Sequence, residues 1–147
     1  MKIENVTEES ACECFKQGID CSQIVFGYVA DKVDISSDKA LKIAAAFGGG
    51  MWGGRTCGCV SAALMAFGLK YGYCEPNETE QKNILLAKKA EYEQKFIVEN
   101  KSVVCKEILD YDLSKPEEMA IIMEKNLLFT ICPKVVCSAC KILDEML

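Results

Sequence analysis

Apolar residues recur at helical spacing along most of the chain, and the strict alternation typical of half-buried strands is absent. Capping residues place several helix starts: Ser36 or Ser37 caps the third predicted helix, Asn77 the fifth and Ser114 the seventh. Asp20 is followed three residues later by Gln23, which has the form of a capping box. The predicted helices cover residues 7–17, 20–33, 36–47, 56–71, 77–98, 103–109, 116–126 and 133–146. The pattern therefore predicts an all-α fold.

The helix predicted over 56–71 is apolar on nearly all sides, so we expect it to be the buried central helix of a compact multi-helix domain. A chain of 147 residues supports one domain with a substantial core, and we assign residues 1–147 to that domain. The preceding segment from Gly48 to Gly54 differs, because five of its seven residues are glycine. Regular elements disfavour so flexible a backbone, so the segment is predicted to be a loop under a special backbone requirement.

Ten cysteines and no histidine define the available chemistry. The lack of histidine excludes Ser-His and Cys-His catalytic pairs, His-ligated haem or zinc, and CxxCH haem attachment. A formal net charge of −5 argues against nucleic-acid binding, which requires a basic surface. The longest apolar run, Val60 to Leu69, is about half a membrane span, and the acidic N-terminus lacks a secretory signal. We therefore expect a cytoplasmic protein without membrane contact, in which cysteines serve metal binding or redox chemistry.

The cysteines are dispersed along the chain and form no compact metal-binding motif. They are Cys12, Cys14, Cys21, Cys57, Cys59, Cys74, Cys105, Cys132, Cys137 and Cys140. The one CxxC pair, Cys137 and Cys140, has no second pair, so neither a zinc ribbon nor a ferredoxin-type run is present. A shared site would have to be assembled from distant segments, while Cys74 is expected to be an ordinary loop thiol.

Several cysteines fall at or near predicted helix starts. Cys21, Cys132 and either Cys57 or Cys59 lie there, where free backbone N–H groups and the helix dipole stabilise a thiolate. Two cysteines separated by one residue point to nearly opposite faces of a regular helix. Cys57 and Cys59 could therefore face one centre only if Cys57 lies in the loop, and the sequence leaves both arrangements open.

The order of these residues resembles a family of redox-active proteins named for its cysteine pattern, C_GCAxxG_C_C. The resemblance covers roughly residues 12 to 145 and includes the glycine loop and the segment 58–63. Val60 replaces the alanine of the motif and Ala63 replaces its final glycine. The four signature cysteines of the pattern fall on Cys21, Cys59, Cys105 and Cys132.

The resemblance implies a small helical redox domain of the type also found in split-Soret cytochromes, where it accompanies an iron–sulfur cluster. Haem would be absent here, because the chain has no attachment motif. The four signature cysteines would then ligate a cluster, with [2Fe–2S] favoured over [4Fe–4S]. Amides of the glycine loop and the cation of Arg55 could stabilise such an anionic centre. The implied function is electron transfer or redox sensing with an unidentified redox partner protein.

Three alternatives stay open. The chain could be a metal-free thiol–disulfide oxidoreductase that uses Cys137 and Cys140. It could hold zinc or copper(I) with thiolates. It could also be a helical domain whose cysteines are mostly inert buried hydrophobes.

The composition also bears on the oligomeric state. Because half of the residues are hydrophobic, part of the surface could be buried in a homodimer.

Overall fold

The computed structural model of the chain describes all residues from 1 to 147 and contains nine α-helices and no strand. The helices are α1 Glu8–Lys16, α2 Cys21–Val29, α3 Ser37–Ala44, α4 Gly58–Tyr71, α5 Thr79–Asn100, α6 Cys105–Leu109, α7 Pro116–Glu124, α8 Leu127–Thr130 and α9 Cys132–Met146. The predicted all-α fold is confirmed. The short helix α8 was not predicted, since its four residues carry no capping signal of their own.

The first helices begin where capping chemistry places them. The Thr7 hydroxyl accepts the backbone N–H of Ser10 at 3.0 Å and caps α1. The backbone N–H of Asp20 donates to the side chain of Gln23 at 2.9 Å, as expected for the capping box of α2. Helix α2 then tightens into a 3₁₀ turn over Ala30–Val33 instead of continuing as α-helix.

Two predicted caps are wrong. Asn77 does not cap α5; it adopts a left-handed conformation with φ of +66°, and Glu78 precedes the helix. The Glu78 carboxylate instead accepts backbone N–H groups of the preceding turn. Ser114 does not cap α7 either, because its hydroxyl donates to Asp112 at 2.6 Å. Both errors arise from local side-chain hydrogen bonds that compete with capping.

Helix α4 is the buried centre of the fold, as predicted, and packs against α2, α5 and α9. On α5, Tyr92 lies between Phe67 and Phe96, with ring centroids 5.7 and 5.8 Å apart. The Tyr92 hydroxyl donates to the backbone carbonyl of Cys59 at 2.9 Å, so these aromatic rings are connected to the start of α4.

No single helix is long and apolar enough to cross a membrane. Only the bent pair of helical segments 116–124 and 127–146, taken together, has the length and composition of a membrane span.

The buried side chains form two hydrophobic clusters. The large cluster has 27 residues and draws on α1 to α6 and α9. The small cluster consists of four residues from the segment between α5 and α8: Cys105, Leu109, Leu113 and Ile122. The signature cysteines are therefore divided between two packing units.

An antiparallel bridge between Thr56 and Val104 joins the two clusters. On one side the backbone N–H of Cys57 donates to Val103 at 2.8 Å, and on the other the N–H of Cys105 donates to Arg55 at 2.6 Å. Helix α4 consequently begins at Gly58 and not at residue 56, because the bridge holds residues 56 and 57 in an extended conformation. Cys57 lies outside regular helix, which resolves the alternative that the sequence left open.

A cysteine-lined cavity as the candidate functional site

A cavity of about 390 Å³ lies where the two clusters meet. Its lining is mostly apolar, with side chains such as Phe15, Ile108 and Leu128. Five of the ten cysteines line it: Cys21, Cys57, Cys59, Cys105 and Cys132. The structure therefore brings all four predicted site residues to one cavity, together with Cys57.

Each cavity cysteine stands at the start of a helix. Cys21, Cys105 and Cys132 are the first residues of α2, α6 and α9. Cys59 is the second residue of α4, and Cys57 is the residue that precedes this helix. Helix N-termini carry partial positive charge and free N–H groups, which can offset negative charge on a sulfur that is deprotonated.

Cys21 is the hydrogen-bond acceptor of this group. The thiols of Cys57 and Cys59 donate to its sulfur, and so do the backbone N–H groups of Gly49 and Ser22. These hydrogen bonds, led by the one from Cys57, hold the pKa of Cys21 well below its usual range. Donation to Cys21 raises the pKa of Cys57 and Cys59 well above theirs. Of the three thiols, Cys21 is therefore the one whose thiolate form is favoured.

Gly58 lets helix α4 approach this thiolate closely. A Cβ atom added to Gly58 would lie 2.7 Å from the sulfur of Cys21 and 2.9 Å from the backbone oxygen of Phe47. Both separations are too short for nonbonded atoms, so only glycine fits before Cys59. At the two positions that depart from the family motif, Val60 and Ala63 are buried within the large cluster.

Cys105 and Cys132 line the cavity on the side of the small cluster. Burial, followed by the nearby negative charge of Cys21, raises the pKa of Cys105 to about 12 and raises that of Cys132 further. Both are therefore neutral thiols near pH 7 unless a cation compensates their charge. No three Cys, Asp or Glu side chains are grouped closely enough to hold a single metal ion.

The glycine loop meets the cavity through a left-handed turn. Gly49, Gly50, Met51 and Trp52 have φ values of +59°, +63°, +59° and +53°. A side chain at Gly50 would overlap the backbone of Arg55, which explains the glycine there. Arg55 was predicted to supply a cation to the site, but its side chain lies against Gly53 and is not part of the cavity lining.

Met51 should be strained in this turn, because left-handed backbone costs a non-glycine residue about 1 kcal/mol or more. We expect Met51→Gly to raise the free energy of unfolding by about 1 kcal/mol, measured by urea denaturation of the metal-free chain. Met123→Gly is the matched control, since Met123 is also exposed but lies in α7. It should lower stability by up to about 1 kcal/mol. If both substitutions changed the free energy of unfolding by the same amount, the proposed strain at Met51 would be contradicted.

Alkylation should identify the thiolate in the metal-free chain. Because the pKa of Cys21 is depressed, its thiolate persists as the pH falls below the usual cysteine range. We expect iodoacetamide to modify Cys21 at pH 7 faster than Cys105, whose pKa is about 12. Peptide mass spectrometry over a pH series reports both sites in one sample. Preferential labelling of Cys105 at pH 7 would contradict the assigned charge state.

The remaining cysteines lie outside the cavity. Cys74 is exposed, as predicted for a loop thiol, and Cys12 and Cys14 are half-buried on α1. Cys137 and Cys140 lie inside α9, away from its N-terminus, and burial raises the pKa of both thiols. These two thiols are therefore poorly suited to act as nucleophiles.

Sequence reasoning overlooked two features of the site. The contact between Gly58 and Cys21 depends on how α2 and α4 pack, and no local pattern encodes it. Asp20, read only as a helix cap, also lines the cavity. Burial, and then the charge of Cys21, raises the pKa of Asp20 to about 6. Its position directly before a candidate cysteine was the available signal.

The comparison with protein families identifies one match. A family model described as "Putative redox-active protein (C_GCAxxG_C_C)" matches residues 19–146. The matched range includes every cysteine of the cavity, so the resemblance stated from the sequence is confirmed. No curated protein and no solved structure matches the chain significantly.

Proposed function

The chain belongs to the C_GCAxxG_C_C family of redox-active proteins, and on that premise we propose that its redox centre is an iron–sulfur cluster in the cysteine-lined cavity. The ligands would be the four signature cysteines: Cys21, Cys59, Cys105 and Cys132. A bound cluster would supply one-electron transfer. The protein would then carry or sense electrons for a partner protein.

One observation carries this proposal: all four signature cysteines line one cavity, although they belong to four different helices. Cys21 and Cys59 are hydrogen-bonded to each other on one side. Cys105 belongs to the small cluster, and Cys132 packs against that same cluster. This gives two pairs of thiols, and a [2Fe–2S] cluster takes two thiolates on each of its irons.

The donor set suits a cluster in both size and charge. Sulfide bridges separate the thiolates of a cluster more widely than the ligands of a single ion, which agrees with a cavity between the two pairs. The N–H groups of Gly49 and Ser22 already point to the sulfur of Cys21 and would offset negative charge there. Positive iron would also favour deprotonation of Cys105 and Cys132, whose thiols are neutral without it.

Anaerobic reconstitution of the full chain with ferrous iron and sulfide tests the proposal. We expect a brown protein with about two irons and two sulfides per chain, and visible absorption that bleaches on reduction with dithionite. Electron paramagnetic resonance of the reduced sample would distinguish [2Fe–2S] from [4Fe–4S]. A colourless protein without bound sulfide, under conditions in which the chain is folded, would contradict the cluster.

A further inference from the structure

Cys57 is a fifth cavity thiol that the family signature does not include. It lines the cavity together with Cys21 and Cys59, and the adjacent Gly58 approaches Cys21 so closely that an added Cβ atom would lie 2.7 Å from its sulfur. Its backbone N–H donates to the carbonyl of Val103 next to the bridge between Thr56 and Val104, and its side chain lines the cavity. If Cys21 and Cys59 are cluster ligands, Cys57 is left as an unused thiol beside them.

The three contacting thiols differ in their access to solvent. Cys21 is half-buried, Cys57 is 8% exposed and Cys59 is fully buried at 0%. Cys21 is therefore the most exposed residue of the three, and Cys57 is the more exposed of its two cysteine neighbours. Because Cys57 precedes α4 and does not belong to it, its side chain can also move without unwinding a helical turn.

We propose that Cys21 and Cys57 form a redox-active dithiol that reduces small neutral disulfides when the cavity holds no cluster. The proposal rests on the proposed redox role of this cavity but not on iron binding. A neutral substrate fits because the cavity lining is mostly apolar and Asp20 stands beside Cys21. A small substrate fits because the cavity measures about 390 Å³.

The reaction balances as thiol–disulfide exchange. The sulfur of Cys21 attacks one sulfur of the disulfide, the substrate S–S bond breaks, and the first thiol leaves. The sulfur of Cys57 then attacks that of Cys21, which breaks the mixed disulfide and releases the second thiol. The protein loses two electrons and two thiol protons, which end on the two released thiols, and a disulfide joins Cys21 to Cys57.

The test uses the full metal-free chain carrying Cys74→Ser, which removes the exposed thiol. The probe is hydroxyethyl disulfide, and the products are mapped by mass spectrometry of non-reduced peptides. We expect a peptide cross-link between Cys21 and Cys57 and release of both halves of the probe as mercaptoethanol. A cross-link between Cys21 and Cys59 as the main product, or no internal disulfide, would overturn the proposal.

Variants separate the roles of the thiols. In the Cys57→Ser variant the reaction should stop at a mixed disulfide between Cys21 and one half of the probe. Cys57→Ala should give the same product and replaces the serine variant if serine perturbs folding. Cys12→Ser removes a half-buried thiol outside the cavity and should leave the cross-link unchanged. If both Cys57 variants still formed an internal disulfide to the same extent as the parent chain, the pairing of Cys21 with Cys57 would be refuted.

Iron content, measured separately on reconstituted protein, keeps this proposal distinct from the cluster assignment. A chain that binds iron and sulfide but forms no cross-link contradicts the dithiol alone. A chain that forms the cross-link but takes up no iron contradicts the cluster alone and supports the dithiol.

Discussion

Replacing Cys59 with serine is expected to remove most of the iron and the visible spectrum from the reconstituted protein. Cys59 is fully buried at the start of α4 and hydrogen-bonded to Cys21, so no solvent molecule can easily take its place. Removing a residue that only hydrogen-bonds to a metal ligand lowers metal affinity by roughly 10 to 100-fold. Removing a ligand itself should lower the affinity at least as much. Iron content and visible absorbance measure the effect.

Two further variants complete this experiment. Cys57 lines the same cavity two residues before Cys59 and is the thiol best placed to replace it, so Cys59→Ser combined with Cys57→Ser should abolish cluster binding completely. Cys74→Ser is the control, because this thiol is exposed and is not part of the cavity lining, and the variant should bind iron like the unmodified chain. Full iron and sulfide content in the double variant would rule out the proposed ligands.

The substitution Gly58→Ala should both destabilise the fold and disturb the site. The new methyl group would lie 2.7 Å from the sulfur of Cys21 and 3.0 Å from the side chain of Ser22. It would also press against the backbone oxygen of Phe47, which cannot move aside as a flexible side chain can. Overpacking of this kind costs about 3 kcal/mol, and we expect that loss in urea denaturation together with reduced iron uptake.

Gly68→Ala provides a control of opposite sign on the same helix. Gly68 is exposed, and a Cβ atom added there meets nothing within 4 Å. Alanine stabilises a helix interior relative to glycine, so the free energy of unfolding should rise by about 1 kcal/mol with no change in iron uptake. If both alanine variants were equally stable, the close approach at Gly58 would be disproved.

Much of the fold follows from local sequence, because helix starts depend on neighbouring residues. The first helix starts at Thr7 as predicted, Asp20 caps the second as predicted, and of the two candidate serines Ser36 caps the third. The start of α4 was placed too early, because the bridge that holds residues 56 and 57 pairs them with a segment almost 50 residues away. Hydrogen bonds over such distances leave no trace in helical periodicity.

The site was less predictable than the fold. Cys21, Cys59, Cys105 and Cys132 were selected through the family pattern, since their spacing matches no compact motif. The contact of Cys57 with Cys21 depends on the conformation of a single residue before α4, which the sequence left undecided. The glycine-rich segment indicated an unusual backbone, but it did not predict the left-handed turn that includes Met51 and Trp52.

The division of the site among four helix starts affects the order in which a newly made chain can mature. The large hydrophobic cluster includes residues from Ile3 to Met146, and α9 packs against α1, α2, α4 and α5. Cys132 is the first residue of that same helix. During synthesis from the N-terminus, the core and the cysteine cavity must both wait until α9 has emerged from the ribosome. A redox group can therefore be loaded only after α9 has emerged, and a nascent chain ending before residue 132 would have neither a complete core nor a complete site.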